Sequence, residues 1–432
     1  MVEAVFDHVR ITVFDGMGAG EATSRQSRYP QDEGVNSLVN ASRVKALHAP
    51  NLLSMGLHQI PGLEGMEIVS NGDIYVRGAY GALTPTFAGN GSPEGHQALM
   101  GHIVTDPYLL FDETGFPPEI VNLVTDTATA VLGRETAVVR YPGTDDINGV
   151  KFINHPGIGD AHLKSRDNPE NPLLIPIYAS TDSVLQIALH QEVVPQEQIE
   201  ELGQAIRQTL DEQGIRIARV IMRPFVGGPE PGTFKRVSAD RRDYGVDPDE
   251  PTLINHLTQA GIPVYGIGKA PSMLNYSGFD PENVQKLGTD EERMQTIITA
   301  IKGYEVGSKS LGFDNLIGTD ELFGHTRQPV GYIDHIEMLD SYVGQGMEAM
   351  PDNALWIITS DHGNDPTQLR HTNHTNERTP VLVYHRGMKR PIPLGIRASF
   401  ADVAKTVAHN FGIADQLTHG ESFLGKIIYQ HP

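Results

Sequence analysis

The chain contains no cysteine in 432 residues. Disulfides, thiolate nucleophiles and thiolate metal sites are therefore excluded, and any metal must be held by carboxylates, imidazoles and hydroxyls. Positive charge is scarce as well: 33 Lys and Arg face 54 Asp and Glu, a formal net charge of −21. That balance argues against nucleic acid as the main partner. It leaves room for a small anionic substrate, because a few local cations set a site's potential. No apolar run approaches the ~18–20 residues of a membrane span, so no membrane partner is expected. Met1 to Gly16 reads as a strand with charges inside it. It lacks the basic and apolar regions of a secretory signal, which points to the cytoplasm. The apolar content of 39% fits a globular enzyme. The length predicts two domains.

What is present centres on Leu355 to Pro380. The apolar run Leu355-Trp356-Ile357-Ile358 predicts a buried parallel strand, and it ends in Thr359, Ser360, Asp361, His362, Gly363, Asn364 and Asp365. Two further imidazoles follow, His371 and His374. In open α/β sheets the chemistry sits at the carboxyl ends of strands. A carboxylate beside imidazoles there is a donor set for a divalent metal.

Other strand ends carry the same chemistry. Val9 to Phe14 reads as a strand with Asp15 at its end, followed by Gly16, Gly18 and Gly20. A glycine turn after a strand can cradle phosphate, although the spacing here is not a dinucleotide motif, and on this segment alone a helix N-cap is the favoured role of Asp15. Phe313 to Ile317 predicts a strand leading to Asp320 and His325. Pro263 to Ile267 predicts another, ending at Gly268 and Lys269. Earlier in the chain, Gly89-Asn90-Gly91-Ser92-Pro93-Glu94-Gly95-His96 sets a hydroxyl among glycines, which suits either a nucleophile on a tight turn or a surface loop. From about Thr105 to Gly245 the character changes to an inserted domain. It holds a helix over Gln196–Gln213, a strand over Arg219–Met222 and a basic group of Arg219, Arg223, Lys235, Arg236, Arg241 and Arg242. Salt bridges and anion binding account for that group equally well. The chain thus divides into 1–104 with 246–432, a metal-binding core, and 105–245, an inserted α+β domain. Parallel strands can bring Asp15, Asp320, His325, Asp361, His362 and His374 to one edge, enough for two metal ions about 4 Å apart.

These residues resemble the phosphopentomutases of the alkaline phosphatase superfamily, over nearly the whole chain. Asp15-Gly16-Met17-Gly18-Ala19-Gly20-Glu21 is similar to the family's first metal motif, and Gly324-His325, Asp361-His362-Gly363-Asn364-Asp365-Pro366 and His374-Thr375 to the others. Tyr178 to Ala188, Arg219 to Gly227 and Arg241-Arg242-Asp243-Tyr244 are similar to its cap signatures. Phe400-Ala401-Asp402 and Ser422-Phe423-Leu424 match its tail. The resemblance implies an alkaline-phosphatase-like core, a mainly parallel sheet flanked by helices, with the cap inserted. It implies one metal on Asp15, Asp361 and His362 and a second on Asp320, His325 and His374. Manganese is the family's usual ion, with magnesium or zinc as alternatives. Ser92, three residues before Gly95-His96, takes the place of the family's nucleophilic threonine. Ser180, Asp182, Arg219, Ile221 and Arg236 fall on positions lining the sugar-phosphate pocket, and Lys269 on a basic position contacting substrate.

The nucleophile loop departs from the family's Lys-Asp-Thr-x-Thr-Gly-His-Trp-Glu, and Glu94 puts a negative charge beside Ser92. The loop between Asp361 and His374 is one residue longer than expected, so His371 competes with His374 as the last imidazole. The expected activity is movement of a phosphoryl group within a pentose phosphate through phospho-Ser92, primed by a sugar bisphosphate. A phosphatase or phosphodiesterase on the same residues is the nearest rival. A non-catalytic sugar-phosphate binding protein is the next. A sulfatase is disfavoured, since there is no cysteine and the arginine pattern expected after Ser92 is missing.

Overall fold

In this computed structural model the described residues are 4–70, 72–111, 115–141, 171–179, 183–228 and 233–428. They form two compact units, one of Met1–Asp106 with Pro248–Pro432 and one of Pro107–Asp247. In chain order, β1 (His8–Phe14) and β2 (Ala79–Leu83) precede the smaller unit. That unit holds β3 (Thr136–Tyr141), β4 (Leu173–Ala179), β5 (Val184–His190), β6 (Arg219–Val226), β7 (Lys235–Arg236) and β8 (Arg242–Gly245). The larger unit resumes with β9 (Val264–Ile267), β10 (Val284–Gln285), β11 (Ser310–Leu316), β12 (Ala354–Thr359), β13 (Thr379–Tyr384) and β14 (Ile392–Arg397).

The larger unit is built on an eight-stranded sheet of order β10-β9-β11-β1-β12-β13-β2-β14. All of its pairings are parallel except β12–β13 and β13–β2. Helices flank it, among them Pro329–Ala349 and Ala401–Asn410. This is the mainly parallel, helix-flanked core of the alkaline-phosphatase type. The strand read at Leu355–Ile358 is parallel to β1 on one side and antiparallel to β13 on the other.

Every residue of β1 is buried, as both faces of a parallel sheet must be. The alternation in its sequence therefore does not mark a solvent face. His8, Arg10 and Thr12 form a polar layer inside. Arg10 Nη1 donates to both carboxylate oxygens of Asp314, at 2.8 and 2.7 Å. Trp356 Nε1 donates to Thr12 Oγ1 at 2.9 Å. Removing one member of a buried pair such as Arg10–Asp314 costs about 3–5 kcal/mol.

Register positions the site. Phe14 lies opposite Leu316 of β11, and Val13 opposite Thr359 of β12, so these three strands end together. The chain leaves them at Asp15, at Ile317 and at Ser360. Strand β9 ends beside β11 and releases Lys269 at the same edge. Strand β2 points the same way, antiparallel to β13, and leads towards Ser92.

The smaller unit has its own sheet, β3-β4-β5-β6-β7 with β8 also on β6. The helices Pro118–Leu132 and Gln196–Glu212 pack on it, with Ile199, Leu202, Ile206 and Leu210 buried. Among the described residues no helix is long and apolar enough to cross a membrane.

Candidate metal centre

Asp15, Asp361 and His362 each offer a ligand atom within 4.8 Å of one another, and so do Asp320, His362 and His374. All five are buried. His325 adjoins the second group, with Nε2 3.3 Å from Asp320 Oδ2 and 3.2 Å from His374 Nε2. His362 stands between the groups: Nε2 is 3.3 Å from Asp15 Oδ1 and 3.2 Å from Asp361 Oδ2, and its ring stacks on His374 with centroids 3.7 Å apart. The residues expected to bind two metals are thus brought together, with His362 common to both groups and His325 beside the second, which was expected to comprise Asp320, His325 and His374. His371 lies elsewhere, its Nε2 2.7 Å from Asp32 Oδ1. The longer loop therefore delivers His374, and not His371, to the cluster.

The donor set fits divalent cations. Among the described residues, Asp15 Oδ1 and Asp361 Oδ2 are buried without a hydrogen-bond donor. Burial and the neighbouring Asp361 push the Asp15 carboxyl up to about 8. Burial opposes ionisation of Asp361 and Asp320 too, but His362 with His96, and His325 with His374, hold those carboxyls well below the usual range. Burial likewise works against charge on His362, yet Asp361, Asp320 and Asp15 raise it to about 10. Carboxylates crowded like this must share protons or cations, and divalent ions replace the protons.

Neighbours set which imidazole nitrogen faces inward. His325 Nδ1 is 2.7 Å from Thr372 O, and His374 Nδ1 is 3.0 Å from Asn90 O. A ring that donates through Nδ1 to a carbonyl keeps the Nε2 lone pair for a metal. Asp320 takes a 2.7 Å bond from Asn364 Nδ2, and Asp15 a 3.1 Å bond from Asn315 Nδ2.

Ser92 completes the site. It is the first residue of the helix Ser92–Leu99. The glycine stretch is therefore neither a mere turn nor a surface loop: it feeds a helix whose free N–H groups suit a phosphoryl group. Ser92 Oγ is 3.0 Å from His362 Nε2 and accepts a 3.0 Å bond from Lys269 Nζ. Lys269 Nζ is also 2.5 Å from Asp15 Oδ2. Burial disfavours its charge, but Asp15, Asp361 and Asp320 raise its pKa, so it stays an ammonium. Gly95 has to be glycine, because a Cβ there would collide with Asp361 O.

Asp15 caps no described helix. Its glycine turn packs on Glu377, whose carboxylate a Cβ at Gly18 would strike. Glu377 accepts from Ser37 N at 2.8 Å, Gly20 N at 3.3 Å and the Ser37 and Thr375 hydroxyls at 2.6 Å each. Sequence reasoning missed this hub, and it missed Arg327. Arg327 sits at φ +55 and bonds Gly324 O, Asn364 Oδ1, Asp365 O, His371 O and Asn373 O. It ties the His325 turn to the loop bearing His374.

Among the expected substrate contacts, Ser180 and Asp182 lie outside the described residues. Arg219, Ile221 and Arg236 belong to the smaller unit. Arg219, Ile221 and Arg223 alternate along β6 and so share a face. Asp243 is 2.6 Å from Arg241 Nη2 and 3.9 Å from Arg219 Nη1. Arg236 donates to Arg223 O at 2.6 Å and to the Tyr178 hydroxyl. Burial and the like charges of Arg241 and Arg236 lower Arg223 to about 10.

The sequence matches the Metalloenzyme superfamily over residues 8–415. It is 32% identical over 421 residues to the phosphopentomutase of Thermotoga maritima, covering 97% of this chain and 99% of that one. Among solved structures it is similar to the PH0037 protein of Pyrococcus horikoshii, with TM-score 0.46, 14% identity, and coverage of 98% of this chain and 100% of the other. It is also similar to a phosphoglycerate mutase of Leishmania mexicana, with TM-score 0.44, 12% identity, and coverage of 95% and 96%. The protein is a metal-dependent phosphomutase, an isomerase, and the chain belongs to the Metalloenzyme superfamily and, within it, to the phosphopentomutase family.

Proposed function

We infer that the protein is a phosphopentomutase, interconverting ribose 1-phosphate and ribose 5-phosphate or a close analogue through phospho-Ser92. One observation carries this reading: Ser92 Oγ lies within 3.0 Å of both His362 Nε2 and Lys269 Nζ, at a helix N-terminus beside the metal-binding carboxylates. The likeness to the Thermotoga maritima phosphopentomutase supports a pentose phosphate as the substrate class.

Asp15, Asp361 and His362 would hold one divalent ion, and Asp320, His374 and His325 the other, with His362 at the boundary. When bound, the ions neutralise charge on the phosphoryl oxygens and on the entering and leaving oxygens. Manganese is the assigned metal, with magnesium or zinc as substitutes. In the first half-reaction the Ser92 Oγ–P bond breaks as a free hydroxyl of the sugar monophosphate bonds to phosphorus. The proton lost by that hydroxyl balances the one Ser92 Oγ regains. Lys269, held as an ammonium, donates to Ser92 Oγ and stabilises the departing alkoxide. The sugar bisphosphate then offers its other phosphate to Ser92 and the sequence runs backwards. The same bisphosphate primes unphosphorylated enzyme.

Arg219 and Arg236 are assigned the phosphate that is not reacting, with Ile221 beside it, and Ser180 and Asp182 the sugar. Among the described residues, Arg219 Nε and Arg223 Nε are buried without hydrogen-bond partners, which favours an anion on that face of β6. The partner is a small sugar phosphate in the cytoplasm, with no role for nucleic acid or membrane. Peptide mapping after exposure to ribose 1,5-bisphosphate tests the reading. Phosphate on Ser92, and none in Ser92→Ala, is expected; phosphate elsewhere or nowhere refutes it.

A further inference from the structure

Glu94 is buried in the first turn of the nucleophile helix, 4% exposed, two residues from Ser92. A carboxylate there opposes a phosphoserine dianion, since like charges a few ångströms apart in a buried site repel strongly. The mechanism above does not use Glu94.

A cation answers it from a distant stretch of chain. Arg25 lies in the short 3-10 turn Thr23–Arg28 and is 7% exposed. Its Nη2 donates to Gly89 O and to the Tyr29 hydroxyl. Its guanidinium lies over the Tyr29 ring at 4.9 Å and the Phe87 ring at 5.3 Å. Glu94 presses on the same loop: a Cβ at Gly89 would collide with Glu94 Oε1, and one at Gly91 would lie 2.7 Å from Oε2. Gly89 thus touches both the guanidinium and the carboxylate, groups of opposite charge on one short loop. The third grip is His374, whose Nδ1 meets Asn90 O at 3.0 Å. Among the described residues Arg25 Nε and Nη1 have no hydrogen-bond partner, so charge, packing and the Nη2 bonds justify its burial.

We propose that Arg25 is a positioning residue for phosphoryl transfer, one that clamps the loop Gly89–Gly91 through the Gly89 carbonyl and offsets the Glu94 charge so that Ser92 can carry phosphate. The proposal rests on Ser92 as the phosphoryl carrier. It explains how a carboxylate is tolerated beside the nucleophile: the arginine that compensates it sits nearly 70 residues earlier in the chain and meets it across the loop.

The test is a two-residue cycle of Arg25→Met, Glu94→Gln and the double variant, with Arg25→Lys as the conservative control. The full chain, loaded with Mn2+, is mixed with ribose 1,5-bisphosphate, and the rate and extent of Ser92 phosphorylation are followed by intact mass. Arg25→Met is expected to slow phosphorylation about tenfold or more with metal content unchanged, and adding Glu94→Gln to restore it to within about threefold of wild type. Arg25→Lys, which keeps the charge, is expected to stay closer to wild type than Arg25→Met. A purely structural Arg25 would show no rescue by a neutral residue at 94. An Arg25→Met protein equal to wild type, or a double variant no better than Arg25→Met, overturns the proposal. If Arg25→Met does not fold and the double variant does, the rescue supports the coupling; if neither folds, the role is structural and the proposal falls. If wild type never carries phosphate, it is the proposed function that fails. Thermal unfolding of the same cycle then decides the clamp on its own: non-additive shifts support it and additive shifts overturn it.

Discussion

Lys269 Nζ bridges two residues of unlike role, 3.0 Å from Ser92 Oγ and 2.5 Å from Asp15 Oδ2. The lysine that the family resemblance put among substrate contacts is therefore bonded to Ser92, the proposed nucleophile. Ser92→Ala is expected to bind metal normally and to lose turnover by more than about a thousandfold. Lys269→Met should keep Ser92 reactive but slow its phosphorylation by about 10²–10³, the usual loss for one donor to a developing anion. Rapid-quench phosphorylation with metal analysis checks both.

Metal content separates the imidazoles. Asp320→Ala or His374→Ala should lose one of two bound ions and most activity, because each removes a ligand from the buried group. His371→Ala should keep both ions, since His371 bonds Asp32 instead. Inductively coupled plasma analysis reads the outcome; loss of metal in His371→Ala with retention in His374→Ala would reverse the placement.

Arg327 holds the segments bearing His325 and His374 through five acceptors. Arg327→Ala is expected to weaken metal binding by about 10–100-fold, as loss of such supporting bonds does. Arg327→Lys should recover little, because one ammonium cannot reproduce the fork. Competition against a chelator measures it.

These supports show where the sequence was readable. The ends of β1, β11 and β12 were legible because the strand patterns at Val9–Phe14, Phe313–Ile317 and Leu355–Ile358 run out shortly before Asp15, Asp320 and Asp361. Ser92 was legible only by its spacing to Gly95-His96; its glycines and Pro93 disguised the start of a helix. The helix Pro329–Ala349 went unread because glycines interrupt its pattern. Gly331 lies against Phe323, Gly344 against Asn51 and Gly346 against Trp356, each where a Cβ would clash. Partners such as Asp32 with His371, Glu377 with Ser37, or Arg25 with Gly89 meet only through the fold, and no local pattern announces them.

Burial, with Asp365 nearby, pushes the Glu377 carboxyl from 4.5 up to about 7. A raised folded pKa means the protonated form is favoured in the native state. The stability this contributes is fully present below about pH 4.5 and is lost as pH rises through about 7, roughly 3 kcal/mol in all. Glu377→Gln should remove that loss, so its stability falls less between pH 5 and pH 8 than wild type's. The amide can keep the contacts: its oxygen accepts from Ser37 N and Gly20 N, and its NH2 donates to the Ser37 and Thr375 hydroxyls, which can turn. Urea unfolding of both proteins at several pH values gives the comparison.

The central claim is transfer of a phosphoryl group within one sugar. The direct measurement is phosphorus NMR of ribose 1-phosphate incubated with the Mn2+-loaded protein and a trace of ribose 1,5-bisphosphate. The account predicts conversion to ribose 5-phosphate with phosphate conserved, and more escaped bisphosphate or inorganic phosphate from Arg236→Ala. Stoichiometric inorganic phosphate with no isomer, from this and every other sugar phosphate tried, would contradict it and make the protein a phosphatase.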